Sequence, residues 1–257
     1  MNQNARITDI SAYRAARRRA GNIRWVLILV FLVTCMFAGY FFSISSFFAI
    51  REIQVEGNRI VEDQRIIELA EVHKGDNIFS VDLRKAAAWI QMEPRIGAVE
   101  VKRKLPQRLL IRVEERSAVA CMMAGKHLID LDATGRVLER HDSWASLELP
   151  LLSGVDLHDC GSLPGVVING QGIEEALSII RDLPADAEDI GEINVDNPQF
   201  IKLYTVSGVE IRLGDGQDFK QKYLIYSNIL LDNKMENGDP LRYIDVSIVD
   251  KPTLTYK

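Results

Sequence analysis

The sequence predicts an α+β protein: a single transmembrane helix, then a small β-α-α-β-β domain, then a mainly antiparallel β domain with two helices. Three observations support this. Residues 25–48 contain no charged side chain, residues 49–117 alternate strand and helix patterns, and residues 118–257 repeat short strands separated by Gly, Asp and Asn. A chain of 257 residues is long enough for one or two small domains beyond such a helix.

Charge is distributed unevenly along the chain. Residues 1–24 carry a net charge of +5, whereas the remainder carries −10. An acidic body argues against nucleic-acid binding by the folded part, which would need a basic face. The arginines between Arg14 and Arg19 would also suit a nucleic-acid-binding tail, but their position beside an apolar run favours a role in membrane topology.

The apolar run extends from Trp25 to Phe48. At about 1.5 Å per residue it is roughly 36 Å long, which exceeds the roughly 30 Å of a bilayer core. A cleaved signal peptide usually has an apolar region of about 7–15 residues and ends at small residues, and this run is longer with a poor cleavage site. The positive-inside rule then predicts residues 1–24 in the cytoplasm and residues 49–257 outside it.

The segment after the span has the pattern β-α-α-β-β. The strand AIREIQVEG ends at a Gly-Asn turn, and a helix follows over about 61–71. Ser80 or Asp82 can cap a second helix, whose apolar residues follow i, i+3, i+4, i+7 spacing. The strands VEVKRKL and RLLIRVEER then form a hairpin. A three-stranded sheet covered by two helices on one face buries a small core.

The second domain is predicted from seven short strands, two helices and a closing strand. The helices span about 171–183 and 217–236, and the closing strand spans 241–249. The seven strands are VACMMA, KHLIDL, GRVLER, GVVING, IGEINVD, FIKLYTV and VEIRLG.

The C-terminal stretch LRYIDVSIVDKPTLTYK alternates twice. In its first half Ile244, Val246 and Ile248 share one face, and the residues between them share the other. Residues 253–256 alternate again after a Lys-Pro break. No later segment is expected to cover the 241–249 strand, and an uncovered edge is an aggregation hazard unless a partner pairs with it.

One motif suggests catalysis. Asp130, Asp132 and Thr134 match the DxDxT signature of haloacid-dehalogenase phosphohydrolases, in which the first Asp is a nucleophile and the second an acid/base beside Mg²⁺. That chemistry requires the end of a central parallel strand with helical crossovers. Here KHLIDL and GRVLER flank the motif closely, which predicts a hairpin, so we expect no catalytic residue.

The remaining polar motifs predict no metal and no cofactor. Four histidines, at 73, 127, 141 and 158, lack ligand spacing. The basic run Lys102–Lys104 suits an acidic partner or lipid headgroups, or is an ordinary set of hairpin charges. Sequence alone leaves open whether Cys121 and Cys160 form a disulfide.

Five stretches, taken in this order behind the span, resemble the FtsQ/DivIB family of bacterial cell-division proteins. They are IREIQVEGNRIV (50–61), GDNIFSVD (75–82), VEVKRKLPQRLLIRVEERSAVA (99–120), LPLLSG (149–154) and RYIDVS (242–247). Ser117-Ala118 departs from the proline often found in the family. The resemblance implies a POTRA domain at 49–117 and a β domain at 118–257, in a non-enzymatic scaffold that links early and late proteins of the divisome.

The resemblance also implies a partner. It predicts that the C-terminal edge captures a small bitopic coiled-coil protein of the FtsB/DivIC and FtsL type by strand addition, at the septum, in the inner membrane. Neither nucleic acid nor a small-molecule substrate is expected. The alternatives are another POTRA-containing protein of envelope assembly and a membrane-tethered phosphohydrolase. The predicted partner-binding residues are Arg242, Tyr243, Asp245, Ser247, Thr253, Thr255 and Tyr256.

Overall fold

A computed structural model describes residues 7–142, 149–155, 163–184, 190–235 and 240–257. Helix α1, Ile7–Ser43, contains the one segment of the described chain that is long and apolar enough to cross a membrane, Arg24–Ser43. Its 20 residues rise about 30 Å at about 1.5 Å each, the thickness of a bilayer core.

The helix ends before Phe48, the predicted end of the span. The helix ends at Ser43, and a single 3₁₀ turn, Ser46–Phe48, follows it. Phe48 is half-buried and packs against the core of the first domain. The apolar run is longer than the helix, and Phe48 at its end packs against the first domain.

The first domain has the predicted β-α-α-β-β order, and its hairpin is confirmed. Its sheet has the order β1-β3-β2, with β1 parallel and β2 antiparallel to β3. The elements are β1 (Glu52–Glu56), α2 (Asp63–Leu69), α3 (Leu83–Ile90), β2 (Ile96–Lys104) and β3 (Arg108–Glu115).

Capping and burial explain this local structure. Of the two predicted caps of α3, Asp82 is the one used: its carboxylate accepts hydrogen bonds from the backbone N–H groups of Arg84 and Lys85. The buried side chains Ile66 and Ile90, one from each helix, and Ile111 from the central strand belong to one apolar core.

The second domain is a nine-stranded sheet with two helices. The strand order is β12-β11-β10-β9-β8-β7-β4-β5-β6. The elements are β4 (Ala118–Ala124), β5 (His127–Asp132), β6 (Val137–His141), β7 (Leu151–Ser153), α4 (Gln171–Asp182), β8 (Ile190–Asn194), β9 (Ile201–Thr205), β10 (Glu210–Gly214), α5 (Phe219–Met235), β11 (Leu241–Asp245) and β12 (Thr253–Tyr256).

The sheet is mainly antiparallel, as predicted, but three of its eight pairings are parallel: β4–β7, β7–β8 and β10–β11. The predicted strand GVVING is wrong, since the only pairing at this place is an isolated bridge between Arg136 and Val167. The short strand β7 was not predicted, because three residues after a proline carry too little alternation.

Two arginines of the first domain connect the domains through three ion pairs. The Arg95 guanidinium, which follows α3, hydrogen-bonds the Glu139 carboxylate of β6 and lies 3.8 Å from Asp130 of β5. Arg116 Nη1 lies 2.8 Å from Asp132 Oδ2. The first domain therefore contacts the β5–β6 end of the large sheet. At about 4.8 Å per strand, β12 lies roughly 38 Å away across the sheet.

Two glycines of the first domain differ in the space around their Cα atoms, and substituting each tests the packing there. Gly57 (φ +95°) and Gly75 (φ +103°) have similar backbone angles, but an added Cβ at Gly57 would lie 2.1 Å from the Val113 carbonyl oxygen, whereas at Gly75 it would meet open space. We expect Gly75→Ala to cost about 1–3 kcal/mol of backbone strain, and Gly57→Ala to cost clearly more. Hydrogen exchange of β3 amides in the detergent-solubilised full chain measures both. Equal losses in the two variants would contradict the contact.

Candidate partner-binding strand edge

Helix α5 determines where β11 lies. It is the crossover between the parallel strands β10 and β11, and its buried residues Phe219, Tyr226 and Leu230 belong to the core of the second domain. The buried Lys222 Nζ donates to the Leu213 carbonyl oxygen at 2.7 Å, which fixes the first turn of α5 to β10. β11 therefore enters the sheet directly beside β10.

The predicted open edge at 241–249 is wrong. β11 ends at Asp245 and is paired on both sides, with β10 and with β12. The predicted structural role of Ile248 is also wrong: its side chain is 62% exposed in the turn after β11, whereas Ile244 and Val246 are buried as expected. The Lys-Pro break ends this turn and returns the chain as β12, which becomes the edge.

β12 differs in composition from the other sheet edges. Within the described residues it pairs on one side only. Its sequence, TLTY, has no charged residue, whereas the edge strands β1, β2 and β6 all carry charges, which discourage pairing with foreign strands. The β6 edge is also partly covered, since the Val137 N–H donates to the Val166 carbonyl at 2.8 Å.

The direction of the free backbone groups follows from one hydrogen bond. The Lys257 N–H donates to the Pro240 carbonyl at 2.9 Å, so this amide points toward the β11 side. In an antiparallel pair, successive residues point alternately toward and away from the neighbouring strand. The N–H groups of Leu254 and Tyr256 therefore point away from β11. On that side, carbonyl groups of an added strand would accept hydrogen bonds from them.

One row of apolar side chains crosses the sheet and ends at this edge. Each member lies opposite the next, and all except the last are at most 2% exposed. The last member, Leu254, is 41% exposed. This apolar row consists of Ile129, Met122, Leu152, Ile193, Leu203, Ile211, Ile244 and Leu254.

The opposite face of the edge is polar. Tyr243 and Asp245 of β11 lie opposite Thr255 and Thr253 of β12, so four of the predicted residues are brought together. The Arg212 guanidinium lies 3.9 Å from the centre of the Tyr243 ring and covers it as a cation–π pair.

A neighbouring carboxylate stabilises the positive charge of Arg212. Its Nε donates to Glu210 at 2.6 Å, and this hydrogen bond raises the pKa of Arg212 above its ordinary value; the negative charge of Asp245 adds to the shift. The polar face of the edge therefore presents a permanent cation stacked on an aromatic ring.

The other predicted residues lie apart from that face. Arg242 is the exposed extra residue of a bulge in β11, and Tyr256 lies opposite Leu241 on the face of the apolar row. Ser247 follows the strand and donates from both N–H and Oγ to the Asp245 carboxylate. Sequence reasoning missed Leu254, although the alternation of TLTY already places it on the other face from both threonines.

The Asp130–Thr134 motif forms the predicted hairpin. β5 is antiparallel to both neighbours, β4 and β6. Asp132 is buried, and its carboxylate accepts the N–H and Oγ of Thr134, the N–H of Arg136 and the Arg116 guanidinium. Burial alone would raise the pKa of Asp132, but these hydrogen bonds lower it. The carboxylate is therefore held as a fixed anion within the turn.

The first aspartate of the motif also has partners. Asp130 lies within 4.8 Å of Glu139 and His141, and His141 Nε2 is 2.9 Å from Asp130. These three groups offer oxygen and nitrogen ligands, but the Arg95 guanidinium already pairs with the two carboxylates. The cluster thus connects the two domains.

Cys121 is a free, buried thiol. Burial and the nearby Asp130 raise the pKa of this thiol to about 11, which keeps it protonated and unreactive. Cys160, for which the sequence left a disulfide with Cys121 open, lies outside the described residues.

Together, the features define a class: a protein with one apolar membrane helix, a three-stranded POTRA-type domain and a β domain with an uncharged strand edge. Residues 48–116 match the family "POTRA domain, FtsQ-type", and residues 122–247 match "Cell division protein FtsQ/DivIB, C-terminal". The chain belongs to the FtsQ/DivIB family of cell-division proteins.

Relatives match over most of their length. The cell division protein FtsQ of Syntrophotalea carbinolica is 32% identical over 86% of this chain and 78% of its own. FtsQ of Geotalea daltonii is 29% identical over 93% and 88%, and DivIB of Clostridium tetani is 26% identical over 90% and 86%. The solved extracytoplasmic domain of DivIB from Geobacillus stearothermophilus aligns with a TM-score of 0.32 at 22% identity, over 45% of this chain and 92% of that one.

The hydrogen bonds of Asp132 predict a pH dependence. Because its folded pKa is lowered, the carboxylate contributes its full stability above the unfolded pKa of about 3.9, and loses it as the pH falls through the lower folded value. We expect Asp132→Asn to cost about 1–3 kcal/mol near neutral pH, and the deficit to shrink below about pH 4. Chemical denaturation at several pH values measures this. The matched variant Asp232→Asn, in an exposed position of α5, should change little; a constant deficit for Asp132→Asn would contradict the assignment.

Proposed function

We propose that this chain is a non-enzymatic scaffold of the bacterial divisome that binds a small bitopic coiled-coil partner, of the FtsB/DivIC and FtsL type, by strand addition at β12. The observation that carries the proposal is the uncharged, one-sided edge at which the apolar row ends with Leu254 partly exposed. A strand added there would use backbone groups for affinity and side chains for selectivity.

The geometry specifies the chemistry of the incoming strand. An apolar side chain opposite Leu254 would extend the apolar row by one member and remove the partly exposed leucine from water. A polar or aromatic side chain on the other face would lie beside Thr255, close to Tyr243 and its covering Arg212. We infer a partner segment that alternates apolar and polar residues for at least the four residues of β12.

The proposed topology follows the charge distribution. The basic head, residues 1–24, lies in the cytoplasm, and the POTRA domain (49–117) and β domain (118–257) lie outside it, with the protein in the inner membrane at the septum. The concentration of arginine before the apolar helix supports this orientation. The occupied acceptors of Asp132, the second aspartate of the DxDxT motif, support a role without catalysis.

Strand addition requires the backbone N–H of Leu254 as a hydrogen-bond donor to the partner. Leu254→Pro removes an N–H that points away from β11, so the intramolecular pairing of β12 should persist while pairing with a partner is interrupted. Leu254→Ala keeps the N–H and removes only the side chain. We expect the proline variant to weaken partner binding by about tenfold or more, and the alanine variant to weaken it less. Copurification and titration with the coexpressed coiled-coil partner measure both.

The controls separate binding from folding. Deleting 253–257 removes β12 alone, whereas a deletion from 241 also removes the buried Ile244 and Val246 and would damage the core. Unchanged thermal unfolding of the Leu254→Pro variant shows that the β domain is intact. Undiminished partner recovery by a folded Leu254→Pro variant would refute strand addition at β12.

A further inference from the structure

The helix and the POTRA domain meet in a short, well-bonded junction. Asn77 Nδ2 donates to the Ser43 carbonyl at 2.7 Å, and Gln107 Nε2 donates to the Phe47 carbonyl at 2.9 Å. The Phe48 ring lies 4.9 Å from the Phe79 ring, centre to centre. Two segments of the domain, the loop that contains Asn77 and the tip of the β2–β3 hairpin, therefore lie directly beside the end of the membrane-spanning helix.

Apolar side chains remain uncovered at this end. Phe79 is 46% exposed and Leu105, at the hairpin tip, is 59% exposed. They continue the exposed aromatic residues at the end of the helix, Phe42 and Phe47, which are 56% and 50% exposed. Large apolar and aromatic residues at the depth of lipid headgroups are typical of a membrane-facing surface.

Three cations accompany them. The Arg51 N–H donates to the Gln107 carbonyl, which places Arg51 beside the hairpin tip. The carbonyl of the preceding residue, Ile50, accepts a hydrogen bond from the Gly75 N–H, and this bond brings Lys74 close to Arg51. Lys104 precedes Leu105 in the hairpin. Within the part of the chain that the structure describes, the side chains of Arg51, Lys74 and Lys104 form no ion pair.

The neighbouring charges are already engaged. Lys102 pairs with Glu100 at 2.5 Å, and the Arg103 guanidinium donates to the carbonyls of Ile78 and Val81. The acidic Glu52 pairs with Arg108. Asp76 accepts the His73 N–H and lies 3.8 Å from its ring. Asp76 keeps its negative charge and Arg103 its positive charge, because hydrogen bonds to uncharged groups neutralise neither. With Arg51, Lys74 and Lys104 the net charge at this end is therefore positive, on a body that is acidic overall.

We propose that this end of the POTRA domain, defined by Arg51, Lys74, Phe79, Lys104 and Leu105, binds the surface of the anionic bilayer that its own helix crosses. Phe79 and Leu105 enter the headgroup region, and the three cations contact lipid phosphates. The occupant is a lipid surface because the helix delivers the patch to it: residues 44–48 alone separate the span from the domain. The inference requires α1 to cross the membrane but does not depend on partner binding at β12.

The test uses the full chain in liposomes of neutral phosphatidylcholine, with or without about 30% phosphatidylglycerol. A photoreactive benzoylphenylalanine replaces Leu105, or, as a control, the 71%-exposed Val206 of the β domain. We expect lipid adducts from position 105 and few from position 206, with a yield at 105 at least about fivefold higher in anionic liposomes. Flotation in alkaline carbonate verifies that the helix is inserted.

A matched pair of double variants tests the charges. Lys74→Glu/Lys104→Glu should reduce adduct formation at position 105 in anionic liposomes by at least about fivefold, whereas Lys126→Glu/Lys234→Glu, at exposed positions of the β domain, should not. Equal adduct yields at 105 and 206 in floated protein, or no effect of reversing Lys74 and Lys104, would overturn the proposal. So would an adduct at 105 in whole cells that is a protein rather than a lipid.

Discussion

The apolar row across eight strands is the constraint on which the β domain depends. Side chains alternate along a strand, so a shift of one residue would take a member out of the row; in β8 its replacement would be Glu192 or Asn194, and in β10 it would be Glu210 or Arg212. Seven members are sealed from water. Their burial fixes the register of every strand between β5 and β11, and that register in turn decides which atoms of β12 face outward.

The POTRA domain contacts the end of the sheet that lies farthest from β12. Arg95 and Arg116 attach the POTRA domain at the β5–β6 end, where buried carboxylates need cationic partners. At the opposite end of the sheet, no strand of the described residues pairs with the outer side of β12. The two ends of the sheet therefore differ in chemistry: charged groups hold the POTRA domain at one end, and the strand at the other end is uncharged.

Sequence patterns recovered what depends on neighbours along the chain. The alternation of β2, β3 and β9 and the helical spacing of α3 and α4 predicted those elements, and Asp82 was one of two proposed caps. Sequence patterns could not show that β11 is paired on both sides, because this depends on the crossover by α5 and on the return of residues 253–256 after the turn. The end of the helix at Ser43 was missed for a similar reason. Phe47 and Phe48 are as apolar as a membrane segment, and only tertiary contacts distinguish them: the Phe48 ring lies against Phe79, and the Phe47 carbonyl accepts a hydrogen bond from Gln107.

The hydrogen bonds from Asn77 and Gln107 to the end of the helix have a mechanical consequence. A long flexible linker would let the domains rotate freely relative to the helix, but two amide donors and the contact between the Phe48 and Phe79 rings hold them to its end. Rotating α1 about its own axis would then rotate the two domains with it and change the direction in which β12 faces. Any contact that fixes the rotation of α1 about its axis would therefore also fix the orientation of the β12 edge.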